Sequence, residues 1–182
     1  MLPPRWANYG CGPDWMRDTA EKRWINFDSR MDWAGYRTLN STDQFKLWDM
    51  TKAPEDQWVE WFHGGVLNHV LCTMNDYNAH QVLINIHRTL KPGAKLTVIE
   101  MDLLKVFKSY EEGRVNDIPI SEGTIDDRFC FAISGYGTRN SVYTPARMEK
   151  VLTEAGFRVI IRKEESEYDT RPKESLIFEA TK

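Results

Sequence analysis

The sequence predicts an α/β domain built on an open, mostly parallel sheet whose last strand runs antiparallel. Three observations predict it. A strand-like stretch runs into the glycine turn of Trp6-Ala7-Asn8-Tyr9-Gly10-Cys11-Gly12-Pro13. Strand, helix and strand patterns follow one another between Val66 and Glu100, which makes a βαβ unit with a right-handed crossover. Two strand patterns close the chain with no helix between them, and such a hairpin-like connection makes the last strand antiparallel.

Composition bounds the function. The 182 residues suffice for one domain with a full core, and residues 1–182 read as that single domain. The hydrophobic share of 41% and charged share of 28% are those of a soluble globular chain. A net charge of -3 argues against nonspecific nucleic-acid binding, which needs a basic face. No apolar run approaches the roughly 18 residues of a membrane span. The 3 cysteines, Cys11, Cys72 and Cys130, are scattered and odd in number. They suit a reducing cytoplasm and offer no zinc or disulfide framework.

The elements follow in order. In the first turn, glycine permits φ > 0 and a close approach of ligand to backbone. A short helix is expected from Asp14 to Lys22. Trp24-Ile25-Asn26-Phe27-Asp28 reads as a second strand ending in a carboxylate. An acid about 20 residues past a glycine turn, at the tip of the next parallel strand, can accept hydrogen bonds from ribose hydroxyls. The third glycine of a dinucleotide fold is missing near Trp15, which points to a smaller nucleoside cofactor. Gln44 to Met50 alternates and reads as a third strand with Asp49 at its tip. Asp49 is either turn chemistry before Thr51 and Pro54 or an acceptor for an exocyclic amine, with Met50 packing on a base.

Val66 to Leu71, after Gly64-Gly65, reads as a buried fourth strand. Asn75-Asp76 offers an N-cap, and Ala79, Val82, Leu83, Ile86 and Leu90 form a helical stripe. Pro92-Gly93 stops that helix, and Lys95 to Glu100 is a fifth strand. Residues 101–143 are the least regular, with Leu103 to Glu112 helical. Thr144-Pro145 starts a helix that Gly156 ends. Phe157 to Arg162 and Ser175 to Ala180 are the sixth and seventh strands.

These residues resemble a family. The chain is similar to class I S-adenosylmethionine-dependent methyltransferases, above all the compact bacterial and bacteriophage type. That type carries patterns such as N-L-G-C-G-P, W-I-N-V-D, H-V-L-E-H and R-V-L-K-P-G-G. Here they stand as Asn8 to Pro13, Trp24 to Asp28, His69-Val70-Leu71-Cys72-Thr73 and Arg88 to Ala94. The resemblance spans nearly the whole chain. It implies a Rossmann-like, mostly parallel seven-stranded sheet with an antiparallel last strand, here without the N-terminal covering helix. It implies S-adenosylmethionine as cofactor, held by Asn8, Gly10, Cys11 and Gly12 at its methionine part. Asp28 would hold its ribose, Asp49 and Met50 its adenine, and Asn68 and His69 would flank its sulfonium. Residues 101–143 correspond to a substrate-side insertion, where Tyr136 and Arg139 could hold an anionic or sugar-like acceptor or belong to a plain surface loop.

Three departures stand out. Relatives carry an acid where Asn8 stands. The second half of H-V-L-E-H is Cys72 and Thr73. The first strand begins almost at once, so a partner subunit, as in a homodimer, or residues 101–143 would have to cover the cofactor. Methyl transfer from a sulfonium needs a base only when the acceptor carries a proton. His69 is the first candidate, because histidine titrates near neutrality, and Asp102 the second. The expected function is methylation of a small-molecule, sugar or protein side-chain acceptor in the cytoplasm, the host's if the chain is phage-encoded. An inactive binding or scaffold protein of the same fold is the alternative, and a nucleic-acid methyltransferase a weaker one.

Overall fold

The computed structural model describes residues 3–12, 16–29, 44–114, 124–134, 140–169 and 174–182. Seven strands form one sheet: β1 (Arg5–Tyr9), β2 (Arg23–Asp28), β3 (Phe45–Leu47), β4 (Phe62–Asn68), β5 (Leu90–Met101), β6 (Val159–Lys163) and β7 (Ser175–Thr181). Their order across the sheet is β3-β2-β1-β4-β5-β7-β6. The first five run parallel. β7 runs antiparallel to both β5 and β6. The expected fold class is therefore observed. The order reverses between β1 and β4, and in such sheets ligands bind outside the strand carboxyl ends at that switch point.

Alternation along each strand sorts the side chains into two faces. Ala7, Tyr9, Phe27, Leu67, Leu96, Val98 and Phe178 join one core. The helices α1 (Asp76–Thr89) and α4 (Pro145–Glu154) close it. From α1, Val82, Leu83 and Ile86 are wholly buried, each such side chain contributing about 1.5–3 kcal/mol by leaving water. Both helix starts are capped as their sequences predict. Asn75 Oδ1 accepts from Asn78 N at 2.9 Å, and Thr144 Oγ1 accepts from Arg147 N at 3.3 Å. The rings of Phe27, Trp48, Trp58 and Phe62 meet edge-on or tilted in the same core.

The opposite face carries Trp6 and Trp24, 5.7 Å apart. The expected helix from Asp14 to Lys22 is not what faces them. Residues 13–15 lie outside the described residues, and Met16 to Lys22 is not helical. Side chains of β2 and its approach hold this stretch. Asn26 Oδ1 accepts from Met16 N, Asn26 Nδ2 donates to Met16 O, and Asp18 Oδ1 accepts from Trp24 N. Trp24 is buried instead against Tyr168, from the connection between β6 and β7, with rings 5.7 Å apart at 75°. The Tyr168 hydroxyl meets Lys22 Nζ, and its carbonyl accepts from Asn68 Nδ2 at 3.2 Å.

Strand bounds shift for physical reasons. β3 stops at Leu47 because Asp49 closes a turn on Thr51. β4 begins before Gly64 and ends at Asn68, because His69 takes a left-handed φ of 54°. Gly64-Gly65 lies inside that strand because aromatic rings lie over it. An added Cβ would sit 2.7 Å from the Trp6 ring at Gly64 and 2.6 Å from the Tyr9 ring at Gly65. β5 starts at Leu90, paired with Phe62, so Pro92-Gly93 falls within the strand after α1 has ended at Thr89.

The irregular stretch holds α2 (Leu103–Glu111) and α3 (Ile125–Ser134), which pack on each other. Phe129 lies 5.2 Å from Phe107 and 4.4 Å from Tyr110, ring to ring.

Candidate functional site

The strand tips at the switch point assemble the site. After β1, Gly10 takes φ 65° and Gly12 takes φ 49°, conformations that a side chain disfavours. Gly10 has a second reason to be glycine: an added Cβ would lie 2.4 Å from Val70 Cγ2. The turn after β1 is thus pressed against the segment after β4. At Gly12 an added Cβ would meet nothing within 4 Å among the described residues. Cys11 N donates to Phe27 O at 2.9 Å, which draws the turn toward β2. Asp28 Oδ2 accepts from Gly12 N at 2.9 Å. Asp28 is only 8% exposed, so this carboxylate is fixed rather than splayed into solvent.

Gly10, Cys11, Gly12 and Asp28 therefore form one unit. Asn68 and His69 stand at the neighbouring tip, because β1 pairs with β4 through Tyr9 and Leu67. His69 is pinned there by its N–H, which donates to Ile99 O at 2.8 Å. The carboxamide oxygen of Asn68 is buried with no hydrogen-bond partner among the described residues.

Other expected residues sit differently. Asn8 is buried, and its Nδ2 donates to Asn26 Oδ1 at 3.0 Å, so its side chain braces β1 against β2. Asp49 is exposed and accepts from Thr51 N at 3.1 Å and Thr51 Oγ1 at 2.7 Å, the turn chemistry weighed from the sequence. Met50 packs in the core, and its carbonyl accepts from Asn85 Nδ2 at 2.9 Å. Asp102 is 1% exposed and caps α2 by accepting from Leu104 N at 3.0 Å. Its other oxygen pairs with Arg162 Nη2 at 3.0 Å. These contacts hold its carboxylate between α2 and β6. Tyr136 and Arg139 lie outside the described residues.

His63 has structural surroundings. His63, without an evident partner in sequence, accepts from Arg5 N at 3.2 Å and lies 3.0 Å from Lys91 Nζ. Burial, then Lys91, hold its imidazole below the ordinary histidine range, while the Arg5 N–H acts the other way.

Sequence reasoning passed over Glu100. It is fully buried at the end of β5, and its Oε1 accepts from Leu71 N at 2.7 Å and Cys72 N at 3.4 Å. Its Oε2 lies 4.0 Å from His69 Nδ1. The available signal was a lone carboxylate closing an apolar strand.

No protein-family model matches the chain, and no curated protein sequence matches it. Solved structures do. The S-adenosylmethionine-dependent methyltransferase from Mesorhizobium loti shares 15% identity at a TM-score of 0.65, over 99% of this chain and 91% of that one. The Burkholderia thailandensis 1,6-didemethyltoxoflavin-N1-methyltransferase, solved with S-adenosylhomocysteine, shares 16% at 0.62, over 99% and 71%. The CMeT domain of the citrinin polyketide synthase shares 18% at 0.63, over 98% and 46%. The chain thus spans about half the length of that last neighbour. The likeness is one of fold: this chain has the mostly parallel seven-stranded sheet, with its antiparallel β7, of these methyltransferase structures. These three neighbours do not bear on the bacteriophage subtype.

Proposed function

We propose that the chain is a methyltransferase that binds S-adenosylmethionine and methylates a small-molecule, sugar or protein side-chain acceptor. One observation carries the reading: the left-handed Gly10–Gly12 turn, locked onto the Asp28 carboxylate at the switch point of this sheet. The left-handed glycine turn and the buried Asn68 oxygen fit a polar nucleoside with an amino-acid tail. The bound cofactor would supply a methyl group already activated by a sulfonium, so the protein's work is orientation, worth up to roughly 7–11 kcal/mol in favourable cases.

In this reading Asp28 accepts hydrogen bonds from ribose hydroxyls. The Gly10–Gly12 backbone holds the amino-acid tail, and Asn68 and His69 line the reacting end. His69 follows β4 directly and would remove a proton when the acceptor is a hydroxyl, once the cleft opens to its buried ring nitrogens. The neighbours act on differing substrates and so do not single out an acceptor.

Calorimetry with S-adenosylmethionine is the test. Asp28→Ala should weaken binding by about 1.5–3 kcal/mol, the worth of hydrogen bonds to a charged acceptor. Unchanged affinity in a folded variant removes Asp28 from the site, and no heat with the native chain at millimolar cofactor sinks the reading. A second reading, a binding protein without turnover, is favoured by one observation. The Asn8 amide is spent on Asn26 and brings no negative charge to the cofactor's ammonium. It expects binding with no methyl transfer to any acceptor class.

A further inference from the structure

We propose that His69, Cys72 and Glu100 form a site for a thiophilic divalent cation, zinc by its ligand chemistry. Imidazole nitrogen, Cys72 Sγ and a Glu100 carboxylate oxygen all lie within 4.8 Å of one another. Three separate elements bring them there. His69 follows β4, Cys72 lies in the single 3-10 turn Leu71–Thr73, and Glu100 sits in β5. Parallel pairing places Asn68 beside Ile99, and so His69 beside Glu100.

The backbone is shaped for this convergence. A left-handed φ of 54° at His69 reverses the chain directly after β4. Glu100 Oε1 then accepts the N–H groups of Leu71 and Cys72, which ties the turn carrying the sulfur to the carboxylate. Cys72 Sγ lies 3.6 Å from His69 O, so the sulfur is folded back beneath the histidine. Glu100 Oε2, on the other lone-pair side, faces His69 Nδ1 at 4.0 Å.

Zinc takes sulfur at about 2.3 Å, and histidine nitrogen and carboxylate oxygen at about 2.0–2.2 Å, which sets tetrahedral donors roughly 3.3–3.8 Å apart. The trio reaches that spacing by contraction of about 1 Å or less. One nitrogen, one sulfur and one oxygen suit zinc over magnesium or calcium, which take oxygen. Among the described residues three ligands gather, and three protein ligands with a fourth position left to solvent or substrate are the pattern of catalytic rather than structural zinc. His69 is the partly exposed member, with 20% of its side chain accessible, while both its ring nitrogens are buried with the other donors. On binding, the Cys72 thiol gives its proton to solvent, and the sulfur, nitrogen and oxygen each donate a lone pair. Within the methyl-transfer reading, on which this one use rests, the ion would acidify an acceptor hydroxyl in place of His69.

Cobalt(II), as a spectroscopic stand-in for zinc, tests the site on the full chain without any acceptor. The expected result is a sulfur-to-cobalt charge-transfer band that zinc displaces at stoichiometric amounts. The band should vanish in Cys72→Ser and persist in Cys130→Ser, since Cys130 is exposed on α3. His69→Asn should weaken cobalt binding at least tenfold. No band in the native chain, or a band that survives Cys72→Ser, overturns the proposal. Where Cys72→Ser fails to fold, zinc-edge X-ray absorption of the native chain decides: one sulfur in the first shell upholds the site and none overturns it. Calorimetry with S-adenosylmethionine on chelator-treated protein keeps the two readings apart. Cofactor binding without a cobalt band fails the metal site alone, and a cobalt band without cofactor binding fails the methyltransferase reading alone.

Discussion

At Gly10 two constraints coincide, and at Gly12 only one does. Both residues hold left-handed φ, which costs an L side chain roughly 1–2 kcal/mol. Gly10 adds the Val70 methyl 2.4 Å from where a Cβ would stand. Gly10→Ala should therefore lower unfolding free energy by about 2–4 kcal/mol, strain and overpacking together. Gly12→Ala should cost about 1–2 kcal/mol, from strain alone. Urea unfolding of both variants checks the order, and equal losses would show that Val70 yields freely. The same scale separates the carboxylates. Asp28 and Asp102 both follow apolar strand residues, yet Asp28 takes a backbone N–H of the glycine turn while Asp102 is divided between a helix cap and Arg162. Sequence spacing picked out Asp28. Nothing local marked Asp102 as occupied, because Arg162 reaches it from β6.

Helix α4 shows how far local chemistry reaches at the scale of an element. Thr144 accepts the Arg147 N–H, Pro145 occupies the first turn where no intrahelical donor is needed, and Gly156 with φ 103° ends the helix. Each role is written in neighbouring residues, so the start of the helix was legible. Thr144→Ala should cost about 1 kcal/mol through the lost cap. A shift of the urea midpoint with an unchanged slope would check it, and no shift would mean that water replaces the hydroxyl. The segment Met16 to Lys22 shows the limit. A short helix is expected there from the sequence. Instead the Asn26 side chain takes both backbone groups of Met16, competing with helical hydrogen bonds, and the Asp18 carboxylate takes the Trp24 N–H. The partner that seals this face, Tyr168, is far along the chain.

Across the whole molecule, His87 links elements that the sequence leaves apart. It lies near the end of α1, and its ring meets Phe157 edge-on at 5.0 Å beside Gly156. Burial first, then Lys182 and Arg158, hold its imidazole below the ordinary range, against a contact with the Gly156 backbone that acts the other way. Folding disfavours the protonated His87 imidazole, while in the unfolded chain it takes up a proton at about pH 6.5. Below that pH the unfolded state binds more protons, so this contribution is complete above about pH 6.5 and is lost as pH falls toward the depressed folded value. Urea midpoints should drop between about pH 7.5 and pH 5.5 more in the native chain than in His87→Gln. Parallel pH profiles would remove His87 from the acid response. His63, lowered by burial and Lys91, acts in the same direction and is common to both proteins.

The sequence by itself determined what depends on near neighbours: the glycine turn, the α1 stripe, the caps of α1 and α4, the strand order along the chain and the reversed last strand. These follow from periodicity, φ preference and connection length, which act over a few residues. Tertiary structure decided what depends on pairing across the sheet. It placed Gly64-Gly65 inside β4 because Trp6 and Tyr9 lie over them. It took Asn8 for a brace to Asn26 and Asp102 for Arg162. It also brought Glu100 and Cys72 under His69, since only the register of β4 on β5 sets Asn68 against Ile99. Register is a long-range property, and no short window of sequence contains it.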